Sequence, residues 1–375
     1  MVEPGGAAGR RGRRVGIRDV ATRAGVGLAT ASRVLSGRPN VNAEMRRRVL
    51  AAAAELGYQP DILAQSLRRG ATRSVGFIAD DLSNHLIADI ATGAEGRLRA
   101  EGYSLLVMSS EMDPSVDALN VRVLRARRVD ALMMAPVDEE APELVRELLA
   151  FEGPFVDVEG DLPADVPASY VHSDHRAGVA TALRDLIGRG HRTIAMVAGP
   201  SRYRSARQRR LAVDDVRREV GGGIEIVALE ADLSTSGGMD ATGPLLDSTG
   251  HPSAIVVGAW QLLTGVLEVV RARGIRLGRD LSLVASDPPP LASVFDPPLA
   301  AIARDAPGLG VTAAQLLLAR LQEPDLPPEH VMLPTTYRPA ASVGPPRELT
   351  SLAGSPGGHP RRRRAPRLSG SPPRR

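Results

Sequence analysis

The stretch I-R-D-V-A-T-R-A-G-V-G-L-A-T-A-S-R-V-L-S-G at residues 17–37 decides how the front of the chain folds. Ile17, Val20, Ala21 and Ala24 stand at i, i+3, i+4 and i+7, the apolar stripe of a short helix. Gly25 breaks that stripe. Gly25-Val26-Gly27 then forms a three-residue turn, Val26 is placed to plug a helix crossing, and residues 28–35 resume helical periodicity with Ala31, Val34 and Leu35 facing inward. The outward face of this second helix carries Leu28, Ala29, Thr30, Ser32 and Arg33. Small, hydroxyl and guanidinium side chains at a helix end suit a major groove, where hydroxyls bond phosphates and Arg forks onto guanine. A third helix is predicted from the N-cap Asn42 through Arg46, Arg47 and Arg48 to Leu56, with Glu44 in its first turn and Gly57 ending it. The pattern predicts a DNA-binding helix-turn-helix head; an ordinary three-helix bundle with a solvated basic surface is the alternative.

Charge supports the first reading. Residues 1–75 hold 14 Arg against five acids, net +9, and residues 345–375 hold eight Arg against one, net +7. The middle is left at −12, with 25 Arg and 37 acids, although the whole chain is only +4. A basic head on an acidic body suits a polyanion that docks at one end, because each phosphate-paired Arg releases counterions and the body repels the rest. All 47 basic residues are Arg, which excludes Schiff-base and Walker-lysine chemistry, and the absence of Cys excludes disulfides, thiolate nucleophiles, zinc fingers and iron–sulfur clusters. No cofactor and no metal are expected. Residues 1–14 are followed by no apolar run of the kind a signal peptide has, and the longest uncharged stretch, residues 248–267, is interrupted by His251 and Pro252. A cytoplasmic protein with no membrane segment is expected.

Beyond the head, short apolar runs alternate with amphipathic stretches. Strands are predicted at residues 74–78, 104–108, 131–134, 155–158, 193–198, 225–229, 254–257 and 281–285, with helices between them such as residues 87–100, 116–127, 177–189 and 262–273. Gly102, Gly190 and Gly274 close helices where the next strand begins. Repeated βα units imply parallel sheets, and so long a stretch of them implies two α/β lobes with a ligand cleft between. The expected organisation is a disordered basic arm (1–15), an all-α helix-turn-helix domain (16–60), a hinge or linker (61–72), a two-lobe effector-binding and dimerisation domain (73–344) and a disordered Arg/Pro-rich tail (345–375).

The run at residues 17–37, followed by P-N-V-N and R-R-R-V-L-A-A-A-A-E-L-G-Y-Q-P (residues 46–60), resembles the headpiece of the lactose-repressor/galactose-repressor (LacI) family of bacterial regulators. The likeness continues through L-A-Q-S-L-R-R-G (63–70), D-L-S-N (81–84), R-R-V-D-A-L-M-M-A-P (127–136), G-H-R-T-I-A-M-V-A-G-P (190–200), S-A-R-Q-R (205–209) and D-P-P-L-A-A-I (296–302). It thus spans about residues 16 to 342. The resemblance implies a homodimeric regulator, a repressor of carbohydrate-related genes, that binds a pseudo-palindromic operator in double-stranded DNA and has a core like the periplasmic sugar-binding proteins. On matching positions, Leu28 and Ala29 would face base edges, Thr30, Ser32 and Asn40 would contact backbone or bases, and Arg33 would read a base. Leu67 would be the wedge that a hinge helix pushes into the central minor-groove step, with Arg68 beside it. Gly16 and Gly27 depart from the family's usual Ser or Thr N-caps, and Ala31 from its commoner Val.

For a small-molecule effector, sugar or related metabolite, the resemblance assigns Leu86 to a position often aromatic, Asp157 and Asp174 to acidic cleft positions, Tyr203, Ser205 and Arg209 to the contacts that follow the G-P loop, and Asp287 to a late cleft carboxylate. Ala259-Trp260 replaces the family's Asn-Asp pair, so Trp260 enters as a stacking face. Carboxylates, Arg and an aromatic ring are the groups that recognise vicinal hydroxyls. Asp157 and Asp174 could equally cap strand ends, and Trp260 could be core. No Walker loop, G-x-S-x-G or H-E-x-x-H occurs, and the pair His172 and His175 reads as part of a solvated loop, so no enzyme is expected. The two other functions open to this sequence are an effector-independent DNA-binding regulator and a solute-binding receptor without DNA binding.

Overall fold

The structure is a computed structural model and describes residues 15–36, 41–58 and 71–347. The expectations for the basic arm, the hinge, the tail, Asn40, Leu67 and Arg68 lie outside these residues. The head is three helices, α1 (Ile17–Ala24), α2 (Leu28–Leu35) and α3 (Ala43–Glu55), around a small core in which Val20, Ala31 and Val49 are fully buried. Gly25 ends α1 in the left-handed region at φ 62°, where a Cβ would be penalised. Arg48, though exposed, reaches back from α3 to donate to the carbonyls of Ala24 and Gly25, the latter at 3.1 Å, and so ties α3 to the turn. Gly16 and Gly27 give α1 and α2 no side-chain cap, but the Asp19 carboxylate takes the Gly16 amide at 2.8 Å. Asn42 caps α3 through the Glu44 amide at 2.8 Å.

The remainder forms two lobes. The first builds its sheet from β1 (Ser74–Ala79), β2 (Ser104–Ser109), β3 (Ala131–Met134), β4 (Phe155–Val158), β5 (Ser169–Ser173) and β11 (His330–Leu333), in the order β11-β5-β4-β3-β1-β2. The second uses β6 (Thr193–Ala198), β7 (Glu225–Glu230), β8 (Ala254–Val257), β9 (Ser282–Ser286), β10 (Ala300–Arg304) and β12 (Thr335–Arg338), in the order β12-β10-β9-β8-β6-β7. All pairings are parallel except β10 with β12, an antiparallel edge that the expectation of purely parallel sheets missed. Helices α4 (His85–Ala100), α5 (Pro114–Ala126) and α6 (Pro142–Leu149) connect the strands of the first lobe, and α8 (Arg204–Val220), α9 (Thr235–Asp247) and α10 (Trp260–Ala272) those of the second. Central strands such as β3, β4 and β8 are buried throughout, as a sheet covered on both faces requires.

The chain passes between lobes three times, ahead of α7 (His175–Gly188), ahead of α11 (Ala306–Gln322) and between β11 and β12. At the first two crossings a single Asp joins strand to helix and caps it: Asp174 accepts from the Ala177 amide and Asp305 from the Gly308 amide, each at 2.9 Å. The third crossing is tied to the first, since the Asp174 amide donates to the Leu333 carbonyl at 2.8 Å and the Thr335 hydroxyl to the Asp174 carbonyl at 2.7 Å. Helix α11 packs against α4, and glycines make the approach possible. A Cβ on Gly310 would stand 1.9 Å from the Ile90 carbonyl oxygen, and one on Gly93 2.1 Å from that of Pro307. Because backbone must move to admit a side chain there, Gly310→Val is expected to destabilise the core by about 3 kcal/mol or more. Urea unfolding measures this, and an unchanged midpoint would refute the close contact.

Candidate functional site

Helix α2 presents the expected face. Leu28 (45% exposed), Ala29 and Arg33 are open to solvent, Thr30 and Ser32 are half-buried, and Ala31 and Val34 hold the helix to the core. The local charges divide into two kinds. Arg47 pairs with Glu44 and Arg23 with Glu55, both at 2.6 Å, whereas the Arg33 guanidinium enters no ion pair among the described residues.

The second site lies at the carboxyl ends of both sheets, where the strand ends of a doubly wound fold leave a crevice. A cavity of about 110 Å³ there is lined by Leu86, Tyr203, Ser205, Arg209, Trp260 and Asp287, together with Asp80, Glu139, Glu159, Arg204 and Arg304. Its floor is a closed ring of ionisable groups. Arg304 approaches Glu159 at 3.5 Å, Glu159 meets His175 Nε2 at 2.8 Å, and Arg209 donates to His175 Nδ1 at 3.4 Å. Asp287 closes the ring, 3.8 Å from Arg209 and 3.0 Å from Arg304. Since Nδ1 accepts, Nε2 carries the proton of a neutral imidazole, and the ring holds two cations and two anions. Burial, then the charge of Arg209, pushes His175 below its ordinary value, consistent with that tautomer. Burial works against the Glu159 carboxylate, but His175 and Arg304 hold it well below the usual range. For Arg209, burial wins over Asp287 and lowers the guanidinium to about 10. Burial raises Asp80, on the cavity wall, to about 6.

Two expected effector residues are not in this cavity. Asp157 is completely buried and accepts the amides of Gly160 at 3.0 Å and Leu162 at 3.4 Å; burial, with Glu139 nearby, pushes its carboxyl well above the usual range. The cause is the next turn of chain: Glu159 takes a left-handed φ of 69°, so Glu159 faces the cleft and Asp157 caps the loop so formed. Asp174 is spent as the crossing cap of α7. Trp260 does line the cavity, and the His85 ring meets it edge-on across the lobes at 5.9 Å. Glu159, Arg204 and Arg304 escaped the sequence reading, although Glu159-Gly160 directly after a strand and Arg304-Asp305 at a strand-to-helix junction were the available signals. A second set of charges bridges the lobes at the rim, where Arg207 of α8 meets Glu139 at 3.0 Å and Asp161 at 3.1 Å.

The histidines are not on a solvated loop. His172 and His175 are both buried, the first in β5 and the second opening α7. His172 Nε2 donates to the Gly160 carbonyl at 2.7 Å, which makes Nδ1 the acceptor for His330 Nε2 at 2.6 Å. Among the described residues no group of three or more His, Asp or Glu is arranged to hold a metal ion. No helix among them is long and apolar enough to cross a membrane.

Residues 16–61 match the model of bacterial regulatory proteins, lacI family, and residues 183–343 match the periplasmic binding protein-like domain. The chain is 32% identical over 316 residues to the HTH-type transcriptional regulator PtxS of Pseudomonas plecoglossicida, covering 84% of this chain and 91% of that one. It belongs to the lacI family of bacterial regulatory proteins. This LacI-family regulator is also 28% identical over 322 residues to the ribose operon repressor of Escherichia coli K12, across 84% of its own length and 96% of the relative's. Among solved structures, the lac repressor dimer bound to operator and the anti-inducer ONPF matches it with a TM-score of 0.78 at 27% identity, covering 88% of this chain and 99% of that one. Head and core together make the LacI-family member a DNA-binding transcriptional regulator with an effector-binding domain.

The histidine pair gives a pH test of the first lobe. Burial, followed by the charge of Arg204, lowers His172 to about 4 from 6.5. Above the higher value both folded and unfolded chains are neutral at this site. Between the two values the unfolded chain takes a proton that the fold refuses, so stability falls with pH by up to about 1.4 kcal/mol per unit. His172→Gln can still donate to Gly160 but cannot titrate. The stability advantage of wild type over this variant is expected to shrink as pH drops from 7 to about 4.5. Parallel curves in denaturant titrations would contradict a neutral His172.

Proposed function

We propose that this regulator is a repressor of carbohydrate-related genes that grips a pseudo-palindromic operator as a homodimer and changes its grip when a sugar-like molecule occupies the cleft. The observation that carries the reading is the exposed guanidinium of Arg33, in no ion pair among the described residues, on a helix whose other outward residues are Leu28, Ala29, Thr30 and Ser32. Leu28 and Ala29 discriminate only by shape and thymine-methyl contact, Thr30 and Ser32 bond backbone, and Arg33 supplies the bidentate base contact. Asn40, Leu67 and Arg68 extend this interface by family resemblance. The chain's relatives are transcriptional regulators, which supports a protein that acts by binding.

A second subunit has surfaces to use. Edge strand β2 leaves Leu106 and Val107 exposed, and Leu291, Val294 and Phe295 beyond β9 are exposed apolar side chains. Their burial against a partner copy would remove a liability that a lone subunit carries. In the cleft, Leu86, Tyr203, Ser205, Arg209, Trp260 and Asp287 serve the ligand, and the charge ring transmits its presence because its members come from both lobes.

In gel-shift titrations of operator against scrambled DNA, wild type is expected to prefer operator by at least about a thousandfold at physiological salt. Arg33→Ala should lose about 1–3 kcal/mol of that discrimination while retaining salt-dependent binding to both. Equal wild-type affinity for the two sequences would end the specific-recognition reading. Val294→Asp together with Leu291→Asp is expected to give a monomer in sedimentation analysis, with operator affinity lowered; a persistent dimer would move the interface elsewhere.

A further inference from the structure

The charge ring leaves one buried cation unanswered. Arg204, the first residue of α8, is 5% exposed and lines the cavity, yet its Nη1 has no partner and it enters no ion pair among the described residues. Its neighbours are provided for: Arg209 and Arg304 share Glu159 and Asp287, and Arg207 has Glu139 and Asp161. A guanidinium cannot shed its proton to escape burial, so one held without an ion pair is costly to bury. Building on the cleft as the ligand site, we propose that its ligand is an anion, a carboxylate or phosphate carried on a hydroxyl-rich body, and that Arg204 receives the charged group.

The other unsatisfied atoms around the cavity agree in kind. Arg209 Nε, Arg304 Nε and Trp260 Nε1 are buried without partners and can only donate; Tyr203 Oη, also buried and unpartnered, can donate as well. A neutral sugar hydroxyl brings a hydrogen that must itself find an acceptor, whereas the oxygens of a carboxylate or phosphate only accept. Two of the cavity's carboxylates are heavily engaged: Glu159 receives the amide and hydroxyl of Ser173 besides His175, and Asp287 is held by Arg304, while Asp80 takes the Asp81 amide. Arg204 also opens a 17-residue helix whose end already draws in the buried carboxylate of Glu139 from the other lobe. Among the described residues, the cavity therefore sets one guanidinium without an ion pair beside several unpartnered donors, within a lining whose other charges, Asp80, Glu139, Glu159 and Asp287 against Arg209 and Arg304, are not in cationic excess.

Titration calorimetry on the full chain with matched pairs tests this: gluconate against glucose, and ribose 5-phosphate against ribose, with inorganic phosphate as the bare anion. At least one acidic member is expected to bind about 10- to 100-fold tighter than its neutral parent, and the pair in which it does so tells carboxylate from phosphate. Arg204→Met should abolish the preference and Arg204→Lys should retain part of it, so a folding defect in the first variant does not decide the matter. Neutral parents that bind as tightly as their acids, or an undiminished preference in Arg204→Met, would overturn the charged ligand while leaving the cleft a sugar site. If neither member of either pair binds, both that reading and this inference fail.

Discussion

The two-lobe core of this molecule depends on mutual neutralisation of charges that are largely withdrawn from solvent. Glu159, His175, Arg209, Asp287 and Arg304 are each too polar to be buried alone, and each is tolerable only because the next member of the ring stands beside it. Glu159 belongs to the first lobe, while His175, Arg209 and Asp287 belong to the second. Removing the ring from register by opening the lobes would rehydrate some members and separate others, so closure is an electrostatic state as much as a shape. This is a bistable element of the kind that a ligand can bias, since whatever enters the cleft must bind against the same five groups.

The connections confine how such a motion can occur. Three crossings link the lobes, and each is a residue or two long. Asp174 and Asp305 start helices whose first amides they hold, and Asp174 is bonded in turn to the strand-to-strand crossing through Leu333 and Thr335. The first and third crossings are therefore tied to each other. Helix α11 begins at the second and lies against α4 with backbone touching backbone at Gly93 and Gly310, which leaves no slack for sliding within the first lobe. The lobes can swing about the crossings while each lobe stays rigid.

Periodicity exposed most of this architecture in the sequence. The runs A-L-M-M, F-V-D-V, T-I-A-M-V-A and A-I-V-V are strands with the bounds read from the sequence, because a strand covered on both faces is nearly continuously apolar, Asp157 being the buried exception. Strands β5, β10, β11 and β12 were not read. S-Y-V-H-S and T-T-Y-R carry too many polar groups for a buried-strand pattern: T-T-Y-R is a half-exposed sheet edge, and S-Y-V-H-S is buried with its polar side chains hydrogen-bonded to residues distant in sequence. The cleft was legible by residue type and illegible by direction. A carboxylate at the end of a strand announces itself, but whether it faces ligand or caps a loop depends on the dihedral of the following turn. With Glu159 at positive φ, Asp157 takes the capping role that was its alternative, and Glu159, for which the sequence suggested no role, faces the cavity. His172 and His175 were misplaced for a related reason: the signal for a buried imidazole is its partner, and the partners Gly160, His330, Glu159 and Arg209 are distant in sequence.

Charge distribution relates the two binding sites to each other. The acidic surplus of the central region repels phosphates from the body and leaves the basic head as the place where DNA meets the chain. The same surplus acts against a small anion approaching the cleft. Long-range steering therefore cannot be the source of anion affinity, and discrimination must arise within the last few ångströms, where Arg204 and the donor-only atoms of Arg209, Arg304 and Trp260 lie behind low-dielectric walls. At a range shorter than a Debye length, one buried guanidinium outweighs many surface carboxylates screened by salt. An acidic exterior and a pocket with one guanidinium free of ion pairs among the described residues are thus compatible: the first keeps polyanions on the head, and the second acts only at short range.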